Sequence, residues 1–272
     1  MKKILAVLLG LLMLTGCAAP AAEDCHVAAT TAPVYSFTCA VAEGTDVKVG
    51  QVIGEAVSCL HDYALSVRQM ETMADSDLIL TSGLGLEDFM EDILPEKTVA
   101  LSAGVETLGE DPHYWLSPDC AAVMAENICA VLSEQYPEHR ETFRRNADTL
   151  LEKLGELQAW GEKELSAVSC RELVTFHDGF SYLASAFDLQ ILAAVEEESG
   201  SEASAADITQ ICGLVESHGL PCVFTEKNGS DNAASVIAAE TGCKVYALDM
   251  AMGGDWFEAM THNINTLKEA LS

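Results

Sequence analysis

Positively charged residues are scarce in this chain. Its 272 residues include 14 lysines and arginines against 43 aspartates and glutamates, which gives a net charge of −29 at pH 7. Such a charge repels nucleic acid and anionic lipid and attracts cations, so we expect no nucleic-acid partner. The same charge also keeps a protein soluble, and it does not by itself identify a ligand.

Several common metal, redox and nucleotide motifs are absent from the sequence. No cysteines have the C-x-x-C spacing of zinc knuckles or thioredoxin-like sites, and no H-E-x-x-H metalloprotease motif occurs. Residues 82–88 (SGLGLED) are rich in glycine but lack the G-x-G-x-x-G or Walker spacing of a phosphate-binding loop, and no lysine is nearby. We therefore interpret residues 82–88 as a tight turn with an acidic helix cap.

No apolar run is long enough to cross a membrane. The run at 4–14 has 11 residues, whereas a spanning helix needs about 20. It follows Lys2 and Lys3, as in a secretion signal, and ends in LTGC, which resembles a bacterial lipobox. We expect residues 1–16 to be a lipoprotein signal peptide, Cys17 to carry the lipid anchor and residues 17–24 to form a tether. The rest is then an extracytoplasmic domain anchored to the cell membrane; an ordinary signal peptide cleaved nearby is the alternative.

The remaining cysteines follow no metal-binding spacing. Nine cysteines come after Cys17, and this odd number leaves at least one thiol unpaired within a monomer. Three of them, Cys170, Cys222 and Cys243, each stand at or just before the start of an apolar run. If these runs are parallel strands, the cysteines lie at one edge of the sheet, and a ligand site would lie at the opposite edge, outside the carboxyl ends of the strands. We interpret these three as core or disulfide residues and not as metal ligands.

Short apolar runs alternate with stretches of helical composition. This alternation predicts an α/β fold with parallel sheets covered by helices on both faces. We predict two Rossmann-like lobes, each with a four-stranded parallel sheet. The predicted strands are residues 26–31, 47–53, 77–81, 98–101, 172–176, 191–195, 221–225 and 243–248. Predicted helices include 64–74, 205–218 and 230–241, and Ser204 and Asp207 fit a capping box before the second of these.

A stretch without proline connects the two predicted lobes. Its apolar residues recur at spacings of four and three, on one helical face; they are Phe143, Ala147, Leu150, Leu154 and Leu157. A helix over 137–168 would be about 45 Å long at 1.5 Å per residue. We predict an N-terminal lobe at 25–136, one long rigid linking helix at 137–168 and a C-terminal lobe at 169–272. An ordinary helix within one lobe is the alternative.

Three histidines and one aspartate follow short apolar runs, two in each half of the chain: His61, His113, His177 and Asp249. In an open α/β sheet, ligands bind outside the carboxyl ends of the strands. Imidazole and carboxylate are common metal ligands, so the pattern predicts one shared metal site. We interpret the other histidines, His26, His139, His218 and His262, as structural, and Cys59 as a small loop residue in preference to an accessory ligand.

The chain resembles the solute-binding proteins of bacterial zinc and manganese ABC importers, the cluster A-I family. The motifs are HDY at 61–63, GLGLE at 83–87, DPHxWLxP at 111–118, VTFHDGFSYLA at 174–184, VFTE at 223–226, Leu248-Asp249 and GDWF at 254–257. They occur in order over about 25–272. The resemblance implies that His61, His113, His177 and Asp249 hold a metal between two lobes. It also implies delivery of the metal to a permease, with that permease and its ATPase as partners; we expect a monomer without catalytic activity.

The sequence departs from that pattern in three places. The family usually has HSYEP where residues 61–65 read HDYAL, so the proline that stiffens the first ligand loop is absent. The 51 residues between His61 and His113 contain no histidine, so the histidine-rich loop of many zinc-specific members is missing. The loop after Asp249 is short, which leaves Glu226 or Asp255 as alternative ligands.

The predicted ligand set favours zinc. Three imidazoles and one carboxylate suit tetrahedral Zn²⁺, whereas Mn²⁺ prefers more oxygen, and family members that look manganese-specific tend to carry a carboxylate where this chain has His177. Mn²⁺ or Fe²⁺ is the alternative. Asp111, Asp178 and Glu226 are candidate acceptors for ligand N–H groups. Two other functions are alternatives. A metal-dependent hydrolase would need an open coordination position and a general base. A surface adhesin or zinc store without a transporter would have the same metal site as a receptor.

Overall fold

The structure is a computed structural model that describes residues 25–54, 60, 63–196 and 203–272. The predictions made for the signal peptide, the lipid anchor, the tether, Cys59 and His61 lie outside the described residues.

The N-terminal sheet has four parallel strands in the order β2-β1-β3-β4. They are β1 (Val27–Ala29), β2 (Val49–Gln51), β3 (Leu78–Thr81) and β4 (Thr98–Ala100). The two central strands, β1 and β3, are buried along their whole length, as expected for a parallel sheet with both faces covered. The helices of this lobe are α1 (Ala32–Ala42), α2 (Val67–Asp75) and α3 (Pro118–Gln135).

A long helix, α4 (Arg140–Leu165), follows a short 3-10 helix at Pro137–His139. Its 26 residues correspond to a length of about 39 Å at 1.5 Å per residue. The predicted apolar stripe from Phe143 to Leu157 is its buried face. The helix is shorter than the predicted 137–168 because the chain at Pro137 first makes a separate turn.

The C-terminal sheet has four parallel strands in the order β6-β5-β7-β8. They are β5 (Glu172–His177), β6 (Gln190–Glu196), β7 (Cys222–Glu226) and β8 (Lys244–Leu248). The helices of this lobe are α5 (Ser181–Ala186), α6 (Ala205–His218), α7 (Asn232–Thr241) and α8 (Trp256–Leu271). The capping box predicted for α6 is present, since Ser204 and Asp207 exchange side-chain to backbone hydrogen bonds.

The predicted α/β class, with two four-stranded parallel sheets and a long helix, is confirmed. Helix α4 packs against α1 and α3 in the first lobe and against α8 in the second, while the residue limits of the lobes stay a prediction. Helix α2 starts three residues later than predicted because Ser66 and Gln69 form a capping box at its N-terminus. Of the helices in the described residues, none combines the length and apolar character needed to cross a membrane.

The turn at 82–88 is tight, as predicted, with positive φ angles of +88° at Gly83 and +86° at Gly85. The predicted acidic helix cap is wrong. Glu87 makes no cap hydrogen bond to the following 3-10 helix. Its buried carboxylate instead accepts hydrogen bonds from the backbone N–H groups of Ser82 and Gly83 and from the Thr30 hydroxyl, so it satisfies the polar groups of the turn that precedes it.

Candidate metal site

His113 is fixed by the loop that contains it. The ring is buried, and Asp111 Oδ1 lies 2.8 Å from both His113 Nδ1 and His113 N. With Nδ1 bound to a carboxylate, Nε2 is the ring nitrogen left for a metal. Asp111 thus contacts the ring of His113 as predicted, while the role of His113 as a metal ligand stays a prediction.

The environment of Asp111 favours its charged form. Burial alone would raise the pKa of this carboxyl, but the hydrogen bonds and charge of His113, together with the backbone N–H of Ser181, lower the pKa below its ordinary value. The N–H group of Ser181 lies 2.9 Å from Asp111 Oδ2. Asp111 therefore presents a stable negative charge to the back of the His113 ring.

His177 ends strand β5 and is also buried. The ring centroids of His113 and His177 are 5.1 Å apart, with the planes inclined at 78°. One ring belongs to a loop of the first lobe and the other to a strand of the second, so the two predicted ligands meet where the lobes meet.

Gly179 lies against both rings. A Cβ atom at this position would be 2.5 Å from His177 Nε2 and 2.8 Å from His113 Nδ1. Both distances are far below van der Waals contact, so only glycine leaves room for the two imidazoles in this arrangement. Glycine is required at position 179 because the two rings approach its backbone closely, and not because of a positive φ angle.

Asp249 directly follows strand β8 and is tied to helix α8. Its backbone N–H donates to Asn263 Oδ1 at 2.7 Å, and Asn263 Nδ2 donates to the Asp249 carbonyl at 2.7 Å. The carboxylate accepts hydrogen bonds at both oxygens: Oδ1 from the backbone N–H of Ala251 at 2.9 Å, and Oδ2 from Lys227 Nζ at 2.9 Å. The position of Asp249 is thus well defined, and its carboxylate is paired with a lysine.

Three of the predicted ligands lie in the described residues, and the structure brings together two of them, His113 and His177, without Asp249. In the part of the chain that the structure describes, no three His, Cys, Asp or Glu side chains lie close enough to hold a metal ion. Asp249 and Glu226 line a separate cavity of about 180 Å³ at the ends of β7 and β8. Asp255 is exposed and caps α8 through a hydrogen bond to the N–H of Glu258, which argues against Asp255 as a ligand.

Two indole hydrogen bonds connect the ligand loops across the lobes. Trp115 Nε1 donates to the Met250 carbonyl at 2.9 Å, and Trp256 Nε1 donates to the Trp115 carbonyl at 3.1 Å. Trp115 is two residues from His113, and Met250 is adjacent to Asp249. These bonds therefore fix one ligand loop relative to the other. Neither hydrogen bond was predicted from the sequence, although the aromatic residues of the 111–118 and 254–257 motifs pointed to packing between these loops.

The other histidines have partners away from this site. His26 accepts from the N–H of Lys48, His139 contacts Asp46, His218 contacts Glu172 and His262 contacts the Ala247 carbonyl. These contacts agree with the structural roles predicted for them.

The eight cysteines in the described residues are free thiols. Cys222 is buried, and burial, followed by the influence of Cys170 and Cys243, raises its pKa to about 12. A thiol with such a pKa stays protonated and is a poor metal ligand, in agreement with the interpretation of Cys222 as a core residue and not a metal ligand.

The comparison with known proteins identifies the family. The model of the periplasmic component A of the zinc-uptake complex, ZnuA, matches residues 27–270. The zinc-binding protein AdcA of Streptococcus pyogenes serotype M6 is 28% identical over 89% of this chain, and the matched region is 55% of AdcA. The chain thus spans about half the length of that relative. The manganese-binding lipoprotein MntA of Bacillus subtilis is 28% identical, over 98% of this chain and 97% of MntA.

A solved structure agrees with this match over most of the chain. The crystal structure of the Zn(II)-bound ZnuA-like domain of Streptococcus pneumoniae AdcA has a TM-score of 0.79 and 28% identity, covering 91% of this chain and 99% of that domain. The resemblance noted in the motifs is therefore confirmed. The chain belongs to the ZnuA family, whose members are solute-binding receptors and not enzymes.

Proposed function

We propose that this chain is an extracytoplasmic receptor that binds a divalent transition metal between its two lobes and delivers it to an ABC permease, which acts together with an ATPase. The observation that carries this proposal is the buried pair of His113 and His177, whose rings are 5.1 Å apart and come from different lobes. A buried pair of imidazoles, one in a loop and one at the end of a parallel strand, is suited to a transition metal.

We propose His61 and Asp249 as the remaining ligands. Asp249 lies directly after strand β8, and His177 lies at the corresponding end of strand β5. The loop that contains Asp249 is hydrogen-bonded to the His113 loop, since Trp115 Nε1 donates to the Met250 carbonyl. A metal held by all four residues would link the two lobes, because the ligands come in equal number from each.

We propose zinc as the cargo, with manganese or iron as the alternative. Relatives named for either metal match this chain: AdcA is named a zinc-binding protein and MntA a manganese-binding lipoprotein. The imidazole of His177 favours zinc, because Mn²⁺ prefers oxygen ligands. Metal analysis of the protein purified without added metal tests this: one zinc ion per chain is expected, and a protein that binds no divalent metal would overturn the proposal.

The transport role is tested separately in cells. A strain that lacks this protein should take up less radioactive zinc from zinc-poor medium, and a plasmid copy should restore uptake. Normal uptake in the deletion strain, with metal binding intact in the purified protein, would instead favour the adhesin or zinc-store function.

We propose that Cys17 carries a lipid anchor. MntA, which matches nearly the whole chain, is named a lipoprotein, and residues 14–17 read LTGC. Cys17→Ser should move the protein from the membrane fraction to the medium or periplasm. A variant that stays with the membrane would show that another feature holds it there.

A further inference from the structure

Lys227 is placed beside Asp249 by the register of the C-terminal sheet. Strands β7 and β8 pair in parallel up to Glu226 and Leu248, and the N–H group of Lys227 donates to the Leu248 carbonyl at 2.8 Å. The residues that follow, Lys227 and Asp249, are therefore neighbours through backbone hydrogen bonding. Their ion pair, with 2.9 Å between Lys227 Nζ and Asp249 Oδ2, is a consequence of strand pairing.

The ion pair occupies one of the two carboxylate oxygens through which Asp249 could bind a metal. Asp249 Oδ1 already accepts the N–H of Ala251, which orients the carboxylate, and Oδ2 accepts the lysine ammonium. A divalent cation and an ammonium group on one carboxylate oxygen repel each other, so the two compete for that oxygen. Binding of a metal to Asp249 Oδ2 is therefore opposed by Lys227 until its ammonium group withdraws.

The two side chains differ in their freedom to move. The Asp249 side chain is 13% exposed and is fixed by its loop, whereas the Lys227 side chain is 57% exposed. A lysine ammonium on a flexible four-carbon chain can leave for solvent at little cost. The exchange of ammonium for metal can thus occur without rearrangement of the sheet.

We infer that Lys227 sets the affinity and the release rate of the metal by competing with it for the carboxylate of Asp249. This inference rests on the proposed function. In the metal-free protein, Lys227 neutralises a buried carboxylate that would otherwise face a strongly acidic chain. As the metal leaves, the ammonium returns to Oδ2 and prevents immediate rebinding at that ligand.

The test compares three single variants with the wild-type protein. Lys227→Met removes the competing charge and keeps most of the side-chain volume, Lys227→Arg keeps the charge, and Lys244→Met makes the same change at an exposed position at the other end of β8.

Zinc affinity is measured by competition with a chromophoric chelator at low salt, and release is followed after addition of excess chelator. Lys227→Met should bind zinc about threefold to tenfold more tightly, as for loss of a partly exposed competing ion pair, and release it more slowly. Lys227→Arg and Lys244→Met should resemble the wild type.

Two further measurements separate this role from a structural one. In an Asp249→Asn background, Lys227→Met should no longer change zinc affinity, because the carboxylate for which it competes is gone. The zinc-induced rise in Tm should be larger for Lys227→Met than for Lys244→Met, since tighter binding stabilises the folded state more. If the wild type binds one zinc ion and Lys227→Met binds no more tightly than Lys244→Met, the role of Lys227 is overturned and the proposed function stands. If the wild type binds no metal, both fail.

Discussion

Asp111 Oδ1 lies 2.8 Å from His113 Nδ1, and Asp111 Oδ2 lies 2.9 Å from the N–H group of Ser181, at the start of α5. One buried carboxylate thus holds the proposed ligand of the first lobe and the first turn of a helix in the second. His177 is four residues before Ser181. The same side chain therefore links the His113 ring to the segment that follows His177.

Asp111→Asn should weaken zinc binding while leaving the fold intact. An amide has one acceptor oxygen where the carboxylate has two, so the variant cannot bind both His113 and Ser181 as before, and it removes the charge that makes the imidazole a better ligand. We expect affinity to fall by about tenfold to a hundredfold, as for other partners of metal-binding histidines. Chelator competition measures the affinity, and circular dichroism checks the fold.

The matched control is Asp188→Asn, since the side chain of Asp188 is 98% exposed and its change leaves Asp111 and His113 untouched. That variant should bind zinc as the wild type does. Equal affinities for Asp111→Asn and Asp188→Asn would contradict a role of Asp111 in holding the ligand.

Gly179→Ala should disrupt the site through steric contact alone. The added methyl group would lie 2.5 Å from His177 Nε2 and 2.8 Å from His113 Nδ1, so at least one ring must move away from its present position. We expect a loss of zinc affinity of at least about tenfold, because displacement of one ligand costs a coordination bond. Isothermal titration calorimetry measures it.

Gly213→Ala serves as the control, because Gly213 lies within α6 and a Cβ there meets nothing within 4 Å. This change should leave zinc binding unaltered and raise the free energy of unfolding by roughly 0.5 to 1 kcal/mol, the usual gain for alanine over glycine in a helix. If Gly179→Ala also keeps full affinity, the packing of the two rings around Gly179 does not matter for the site.

The sheets and the two close histidines were predictable from local patterns, and the reason is physical. Three of the four residues of β3 are apolar because both faces of the strand are buried. The ends of parallel strands lie at one edge of the sheet, so the position of His177 at the end of a strand was enough to predict a ligand site there. The predicted start of helix α2, at residue 64, was too early. The capping box at Ser66 makes Val67 the first helical residue.

Contacts between distant segments were beyond the sequence. An acidic residue after a glycine turn usually caps a helix, but Glu87 accepts a hydrogen bond from Thr30, which is 57 residues away in the chain. The pairing of Lys227 with Asp249 likewise depends on the register between β7 and β8, which no local pattern fixes. The outcome for His61 lies outside the described residues, and Asp249 as a ligand stays a prediction.

His177 determines the preferred metal if the proposed ligand set is right. His177→Ala should lower zinc affinity by at least about a hundredfold and leave the fold intact, because the residue stands at a strand end. His177→Glu replaces a nitrogen ligand by oxygen and should raise the affinity for Mn²⁺ relative to Zn²⁺. Competition titrations with both metals measure the ratio of the two affinities.

His218→Ala is the control for these variants, since His218 is exposed at the end of α6 and contacts Glu172. It should leave both affinities unchanged. Wild-type zinc affinity in His177→Ala would show that the site has been assigned to the wrong residues, and an unchanged metal ratio in His177→Glu would show that His177 does not set the preference.

Glu87 should contribute to the stability of the first lobe more than any single surface charge. Its carboxylate is 5% exposed and accepts hydrogen bonds from Thr30 Oγ1 at 2.7 Å, Ser82 N at 2.7 Å and Gly83 N at 2.9 Å. Glu87→Ala leaves these donors without their acceptor in a buried turn, so the free energy of unfolding should fall by roughly 2 to 4 kcal/mol. Urea denaturation measures the change, and Glu156→Ala, at an exposed position of α4, should stay within about 0.5 kcal/mol of the wild type.

The raised pKa of Glu87 also predicts how the free energy of unfolding depends on pH. Burial raises the pKa of Glu87 above its ordinary value, although the three hydrogen bonds lower it in part. An acid with a higher pKa in the folded than in the unfolded state binds its proton more tightly when folded, so its contribution to stability increases as the pH falls through the folded pKa and levels off below the unfolded pKa. The stability difference between the wild type and Glu87→Ala should therefore grow between neutral pH and about pH 4.3, the ordinary value for glutamate. Urea denaturation of both proteins over this range tests the sign, and a difference that shrinks on acidification would contradict the raised pKa of Glu87.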